Sequence, residues 1–191
     1  MSGKLRLSGS SSGYIELQSE AAANSSTLTV PNGGFGKILQ VVQTVKTDTF
    51  TTTADGTSWT EITGLNVTIT PSSTSNKLLI DATISCSPNG ENYSMFFSLY
   101  DGSTQLTDFL GDTGESNQTR CMSAERHDAN GPGTSRLYAL ISPSTTSAKT
   151  YKIYCLNENN GTININRMGQ NSNLQQYGLT ISTMTAMELS A

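Results

Sequence analysis

Residues 77–86 read Lys-Leu-Leu-Ile-Asp-Ala-Thr-Ile-Ser-Cys, and their spacing decides the fold class. Leu78, Ile80, Ala82, Ile84 and Cys86 recur at every second position, with Asp81, Thr83 and Ser85 between them. Successive side chains of a strand point to opposite faces, so this is a strand with one face in a core and the other in water. A helix would need its apolar residues three and four apart.

The same period extends in both directions. Residues 37–47 and 59–70 carry it upstream; 93–100, 120–127, 136–142, 150–156, 162–167 and 179–189 carry it downstream. Turn-forming clusters separate them: Ser87-Pro88-Asn89-Gly90, Asn130-Gly131-Pro132-Gly133 and Asn159-Asn160-Gly161, each rich in residues that favour tight turns. No window combines helical periodicity with caps. About eight to ten strands at this spacing point to an all-β, jelly-roll β-sandwich head over residues 37–191.

Residues 1–36 differ. Lys4-Leu5-Arg6-Leu7, Tyr14-Ile15-Glu16-Leu17 and Thr27-Leu28-Thr29-Val30 are short alternating pieces that end at Pro31-Asn32-Gly33-Gly34. Isolated hairpins are marginal in water, so strands this short need cover from outside the segment. The expectation is a β-strand assembly arm whose contacts are Leu5, Leu7, Ile15, Leu17, Leu28 and Val30.

Several head strands are apolar on both faces. Met95, Phe97 and Leu99 alternate with Phe96 and Tyr100, and Leu137, Ala139 and Ile141 with Tyr138 and Leu140; Met184 and Ala186 stand opposite Ile181 near the C-terminus. A two-layer sandwich buries only the inner face of each sheet, so a second apolar face calls for a neighbouring subunit. Phe96, Tyr100, Tyr138, Leu140 and Met184 are the expected contacts between copies of a homo-oligomer, since closed cyclic symmetry would cover them.

Composition narrows the chemistry. The 191 residues include only 14% charged side chains, with a net charge of -4 and no basic run, which leaves no field to gather phosphates; nucleic acid is not an expected partner. No apolar stretch approaches the ~18 residues of a spanning helix, and MSGKLRLSGSSSG lacks a signal-peptide core, so cytoplasmic synthesis without membrane insertion is expected. Cys86, Cys121 and Cys155 show no metal-ligand spacing and sit in apolar or alternating segments, as buried free thiols do.

Candidate catalysts are few. His127, the single histidine, lies in Glu125-Arg126-His127-Asp128, which a polar strand end explains as well as a base oriented by an acid. Asp108, Asp112 and Glu115 match no calcium-loop spacing. Trp59, Tyr93 and Tyr177 suit either sugar stacking or packing. The chain is therefore read as non-enzymatic, with no catalytic residue, cofactor or metal assigned.

The segments LRLSGSSSGYIELQSEAAANSSTLTVPNGGFGKILQ (residues 5–40), SSTSNKLLIDATIS (residues 72–85) and the Thr-rich close ending TAMELSA resemble short tail-fibre-like and virion structural proteins of phages of marine bacteria. In that group the first segment looks like a fibre-shaft strand repeat, and the rest is similar to trimeric jelly-roll heads of the tumour-necrosis-factor and complement-globular type. The resemblance implies a virion protein made in the host bacterial cytoplasm, trimeric, joined to other tail or capsid proteins by residues 1–36. Loops 111–118 and 129–134 would then meet a host surface glycan or protein. A capsid decoration protein is the alternative, and a glycan-cleaving tail enzyme is the alternative of another class.

Overall fold

The computed structural model describes residues 4–8, 14–18, 37–53, 56–89, 94–127, 130–158, 161–170 and 174–191. The chain forms two compact units, Met1–Phe35 and Gly36–Ala191. In the first, β1 (Lys4–Ser8) and β2 (Tyr14–Gln18) pair antiparallel, with Leu5 opposite Leu17, Leu7 opposite Ile15 and Arg6 opposite Glu16. Positions 5, 7, 15 and 17 thus share one face of a two-stranded ribbon. The strand expected at 27–30, with Leu28 and Val30, lies outside the described residues.

The second unit is a β-sandwich of two antiparallel sheets. The larger runs β3 (Ile38–Lys46), β13 (Ser182–Leu189), β6 (Lys77–Pro88) and β10 (Gly133–Ile141), and the far end of β6 continues into β12 (Thr162–Ile165) and β4 (Phe50–Thr53). The smaller runs β5 (Thr60–Ile69), β11 (Lys149–Asn157) and β7 (Ser94–Asp101), with β8 (Thr104–Gln105) and β9 (Ser123–Arg126) on the free edge of β7. From β5 to β6, β6 to β7, β9 to β10 and β10 to β11 the chain crosses between sheets, which is the jelly-roll winding. Each expected strand of the head overlaps one of these, with ends displaced by up to three residues; β4 and β8 are additional, and at four and two residues they are too short for a periodicity to register.

The core is built by alternation. Leu78, Ile80, Ala82, Ile84 and Cys86 are each at most 1% exposed, and they meet Met95, Phe97, Leu99, Ile153 and Cys155 from the smaller sheet. In β5, Ile62 and Leu65 are both buried although three residues apart. A bulge between the pairs Asn66–Lys152 and Glu61–Tyr154 resolves that parity, and Gly64 within it sits at φ +82°, a conformation that only glycine adopts without strain.

Several polar groups inside the sandwich find partners locally. The Lys46 ammonium, with its side chain 2% exposed, donates to Asp48 at 2.8 Å. Asn166 Nδ2 donates to the carbonyls of Lys46 and Asp48, and its Oδ1 accepts from Ser182. At the other end of β13, the buried Glu188 carboxylate accepts from Ser72 N–H, Ser72 Oγ and Asn76 Nδ2.

Candidate functional site

The outer face of the larger sheet carries an apolar band. Register places Val41 beside Met187, Met187 beside Leu79, and Leu79 beside Leu140, a row across four strands in which neighbours are about 5 Å apart. Two residues along, the row is Gln43, Thr185, Asp81 and Tyr138; the next is Val45, Thr183, Thr83 and Arg136. All have inward-facing neighbours, so they share the outer face. Val41, Tyr138 and Leu140 are 57%, 58% and 53% exposed, and Ile38, Leu39 and Val45 are also exposed.

Two of the charges on this face pair with each other. Arg136 donates Nε and Nη2 to the two oxygens of Asp81 at 2.9 and 2.7 Å, a bidentate pair, and its guanidinium lies 5.7 Å from the Tyr138 ring centroid. The Asp81 pair holds the Arg136 pKa above its ordinary value.

Of the five expected subunit contacts, Tyr138 and Leu140 stand in this band. Met184 does not: it is fully buried on the inner face of β13, beside Ala186 in the sandwich core, because the outer set on that strand is Thr183, Thr185 and Met187. Tyr100 is only 7% exposed, stacked on Tyr154 at 3.9 Å with Trp59 at 6.4 Å, so its own chain covers it. Phe96 is half-buried on the outer face of the smaller sheet, between Ala124 and Leu156. The contributions of Val41, Val45, Leu79 and Met187 were not anticipated. Their signal was present in Ile-Leu-Gln-Val-Val at 38–42 and Leu-Leu-Ile at 78–80, runs too apolar for a strand with one wet face.

A concavity of about 690 Å3 opens beside Phe96. Loop residues Asp112, Asn117, Gln118 and Arg120 line it together with Phe96 and Glu158, so the expected contact loop 111–118 forms much of its wall. The loop is braced from within: Arg120 Nε donates to the Gly111 carbonyl at 2.9 Å, Gly111 N–H to the Cys121 carbonyl, and Glu115 N–H to Gln118 Oε1. Glu158 accepts from Ser94 N–H and Arg126; hydrogen bonding to Ser94 and the nearby guanidinium hold its carboxyl below the ordinary value.

The remaining reactive groups are dispersed. His127 Nε2 lies 3.1 Å from Glu125 Oε2, and the ring packs over Gly133, where a Cβ would collide with it. Among the described residues, no three His, Cys, Asp or Glu side chains form a metal-ligating group. All three cysteines are free; burial pushes the Cys86 and Cys155 thiols up to about 12, and the half-buried Cys121 thiol upward as well. Tyr177 donates to Gln170, and Tyr93 lies outside the described residues. No described helix is long and apolar enough to cross a membrane.

No protein-family profile matches the chain, and no curated protein sequence is similar to it. Among solved structures, it is similar to a chain of the infectious bursal disease virus Gx strain at 15% identity and a TM-score of 0.42, over 98% of this chain and 46% of that one. It is similar to a chain of T=1 particles derived from infectious bursal virus at 13% identity and 0.44, over 97% and 44%. The infectious bursal disease virus VP2 subviral particle matches at 12% and 0.44, over 95% and 49%. The chain spans less than half the length of each.

Proposed function

We propose that the protein is a non-enzymatic structural component of a bacteriophage virion, tail-fibre-like or spike-like, with a trimeric head and residues 1–36 as its attachment. The observation that carries this is the in-register apolar band Val41, Met187, Leu79 and Leu140 on a sandwich whose core is already complete without it. That row, four strands about 4.8 Å apart and one side-chain spacing of about 7 Å deep, covers about 130 Å2, and Tyr138 and Val45 extend it in the two rows beyond. A continuous apolar row on the outer face of a sheet is a surface that a neighbouring molecule can cover. The Arg136–Asp81 pair cancels its own charge, so these two residues do not repel a like copy. The sequence resemblance to phage fibre proteins supplies the choice of a virion and of threefold symmetry.

The arm follows from the same reasoning. A two-stranded ribbon with Leu5, Leu7, Ile15 and Leu17 at positions of one face cannot bury that face alone, and a virion protein surface is the cover proposed for it. The head then projects toward the host surface.

Light scattering of the full-length protein should give three times 20.3 kDa, and the double variant Leu140→Asp, Tyr138→Asp should give monomers that keep their β-sheet circular dichroism. A wild-type monomer refutes the trimer. Label attached at Ala191 should appear on intact particles by electron microscopy, and a chain beginning at Lys37 should stay folded yet fail to bind particles lacking the protein. Binding equal to that of the full chain reverses the assignment of ends.

A further inference from the structure

From the lining of the concavity beside β7, we infer a binding site for the neutral pyranose end of an oligosaccharide; this rests on the reading of the head as the host-facing part of a virion protein. Its volume of about 690 Å3 lies within the range of small-ligand sites. Half-buried Phe96 is part of the lining, and an aromatic side chain is the apolar surface on which the C–H groups of a sugar pack. The loop that carries Asp112, Asn117, Gln118 and Arg120 is another part.

The polar groups on that loop are held but not used up. Arg120 is positioned through Nε on the Gly111 carbonyl, while its Nη groups have no hydrogen-bond partner among the described residues. Gln118 is fixed through Oε1 on Glu115 N–H, which leaves its Nε2 as a donor. Asp112 uses Oδ1 on Thr113, which leaves Oδ2 as an acceptor. Donors and acceptors are thus both left free in the concavity that Phe96 lines. A sugar hydroxyl both donates and accepts, so vicinal hydroxyls match such a lining. Preordering of the loop by its own hydrogen bonds lowers the entropy lost on binding.

Charge selects among saccharides. Arg120 stands with Asp112 and Glu158, and Glu158 is paired with Arg126. A uronic acid would bring its carboxylate toward two carboxylates, and an amino sugar its ammonium toward Arg120 and Arg126. Neither sign is favoured, and a neutral hexose is.

The test uses the full-length protein and saturation-transfer NMR with maltohexaose, cellohexaose and mannohexaose, against hexagalacturonate and hexameric chitosan. Saturation transfer to at least one neutral hexaose and to neither charged one is expected. Phe96→Ala and Arg120→Ala should each weaken it about ten-fold or more, about 1.4 kcal/mol, while Thr146→Ala in the exposed connection between β10 and β11 leaves it unchanged. Because Phe96 is half-buried, the exposed Asn117→Ala variant serves as a second probe if Phe96→Ala loses its native circular dichroism. Transfer to no neutral sugar, a preference for either charged hexamer, or equal binding by Arg120→Ala and Asn117→Ala overturns the site. Labelled particles read virion membership separately, so a head found on particles that fails this binding test removes the saccharide site alone.

Discussion

Removing the Glu188 carboxylate tests how the head closes at the C-terminal end of β13. Glu188 is 1% exposed, and one oxygen, Oε1, accepts from Ser72 N–H at 2.6 Å, Ser72 Oγ at 2.8 Å and Asn76 Nδ2 at 2.7 Å. Asn76 in turn accepts from the Ala191 N–H at 3.3 Å, so the carboxylate ties the 72–76 turn to the chain end. Hydrogen bonds to a charged acceptor contribute about 1.5–3 kcal/mol each, and a buried donor left unpaired costs about 1–3 kcal/mol. Ser72 is exposed and can rehydrate its hydroxyl, whereas Asn76 is buried. Glu188→Ala should therefore cost about 2–4 kcal/mol, and Glu188→Gln, which keeps the acceptor and loses the charge, about 1–2 kcal/mol. At about 2–4 °C per kcal/mol for a domain of this size, the alanine variant should melt roughly 5–15 °C lower.

The pH dependence has a definite sign. Burial raises the Glu188 pKa, but the hydrogen bonds from Asn76 and Ser72 outweigh it and hold the carboxyl below its ordinary 4.5. A group depressed on folding stabilises fully above its unfolded pKa and loses that contribution as pH falls through the folded value. Urea unfolding at fixed protein concentration from pH 6 to pH 3 should thus show wild type losing more stability than Glu188→Gln, with the two curves converging at low pH. A glutamine variant of equal stability at pH 6 with the same pH slope would refute the reasoning.

Asn157 is fully buried and neither side-chain polar atom has a hydrogen-bond partner; Asn157→Leu should gain about 1–2 kcal/mol in urea unfolding by removing that penalty, and a loss above 1 kcal/mol would count against it. Gly133→Ala drives a methyl into the His127 ring and should cost about 1–3 kcal/mol. His127→Ala in the same chain should recover most of that, and strictly additive losses would show that the two do not share the space. Iodoacetamide at pH 8, which needs a thiolate, should leave Cys86 and Cys155 unmodified in the folded protein and reach all three cysteines after denaturation, read by mass spectrometry; early alkylation of Cys155 would contradict its burial.

The inner faces of the sandwich were legible in the sequence because alternation is local. Leu78 to Cys86 declares which residues face inward without reference to any other strand, Met95 to Leu99 and Leu137 to Ile141 declare the strand but are apolar on both faces, and the turn clusters mark where strands stop. The outer face is a different matter. That Leu79 is apolar can be read directly, but its place between Met187 and Leu140, with Val41 beyond, depends on which of many strands pair and in what register, and those pairings join residues 61 to 146 positions apart. For the same reason Met184 was assigned outward and proved to be core: its neighbours Thr183 and Thr185 are polar enough for either face, and only pairing with Ala82 and Thr44 sets the parity of β13. Tyr100 looked unpartnered until β11 brought Tyr154 against it. Strand periodicity is determined by a few adjacent side chains, whereas what lies beside a strand is decided by packing the whole chain, and the surface bands and the concavity belong to that second kind of information.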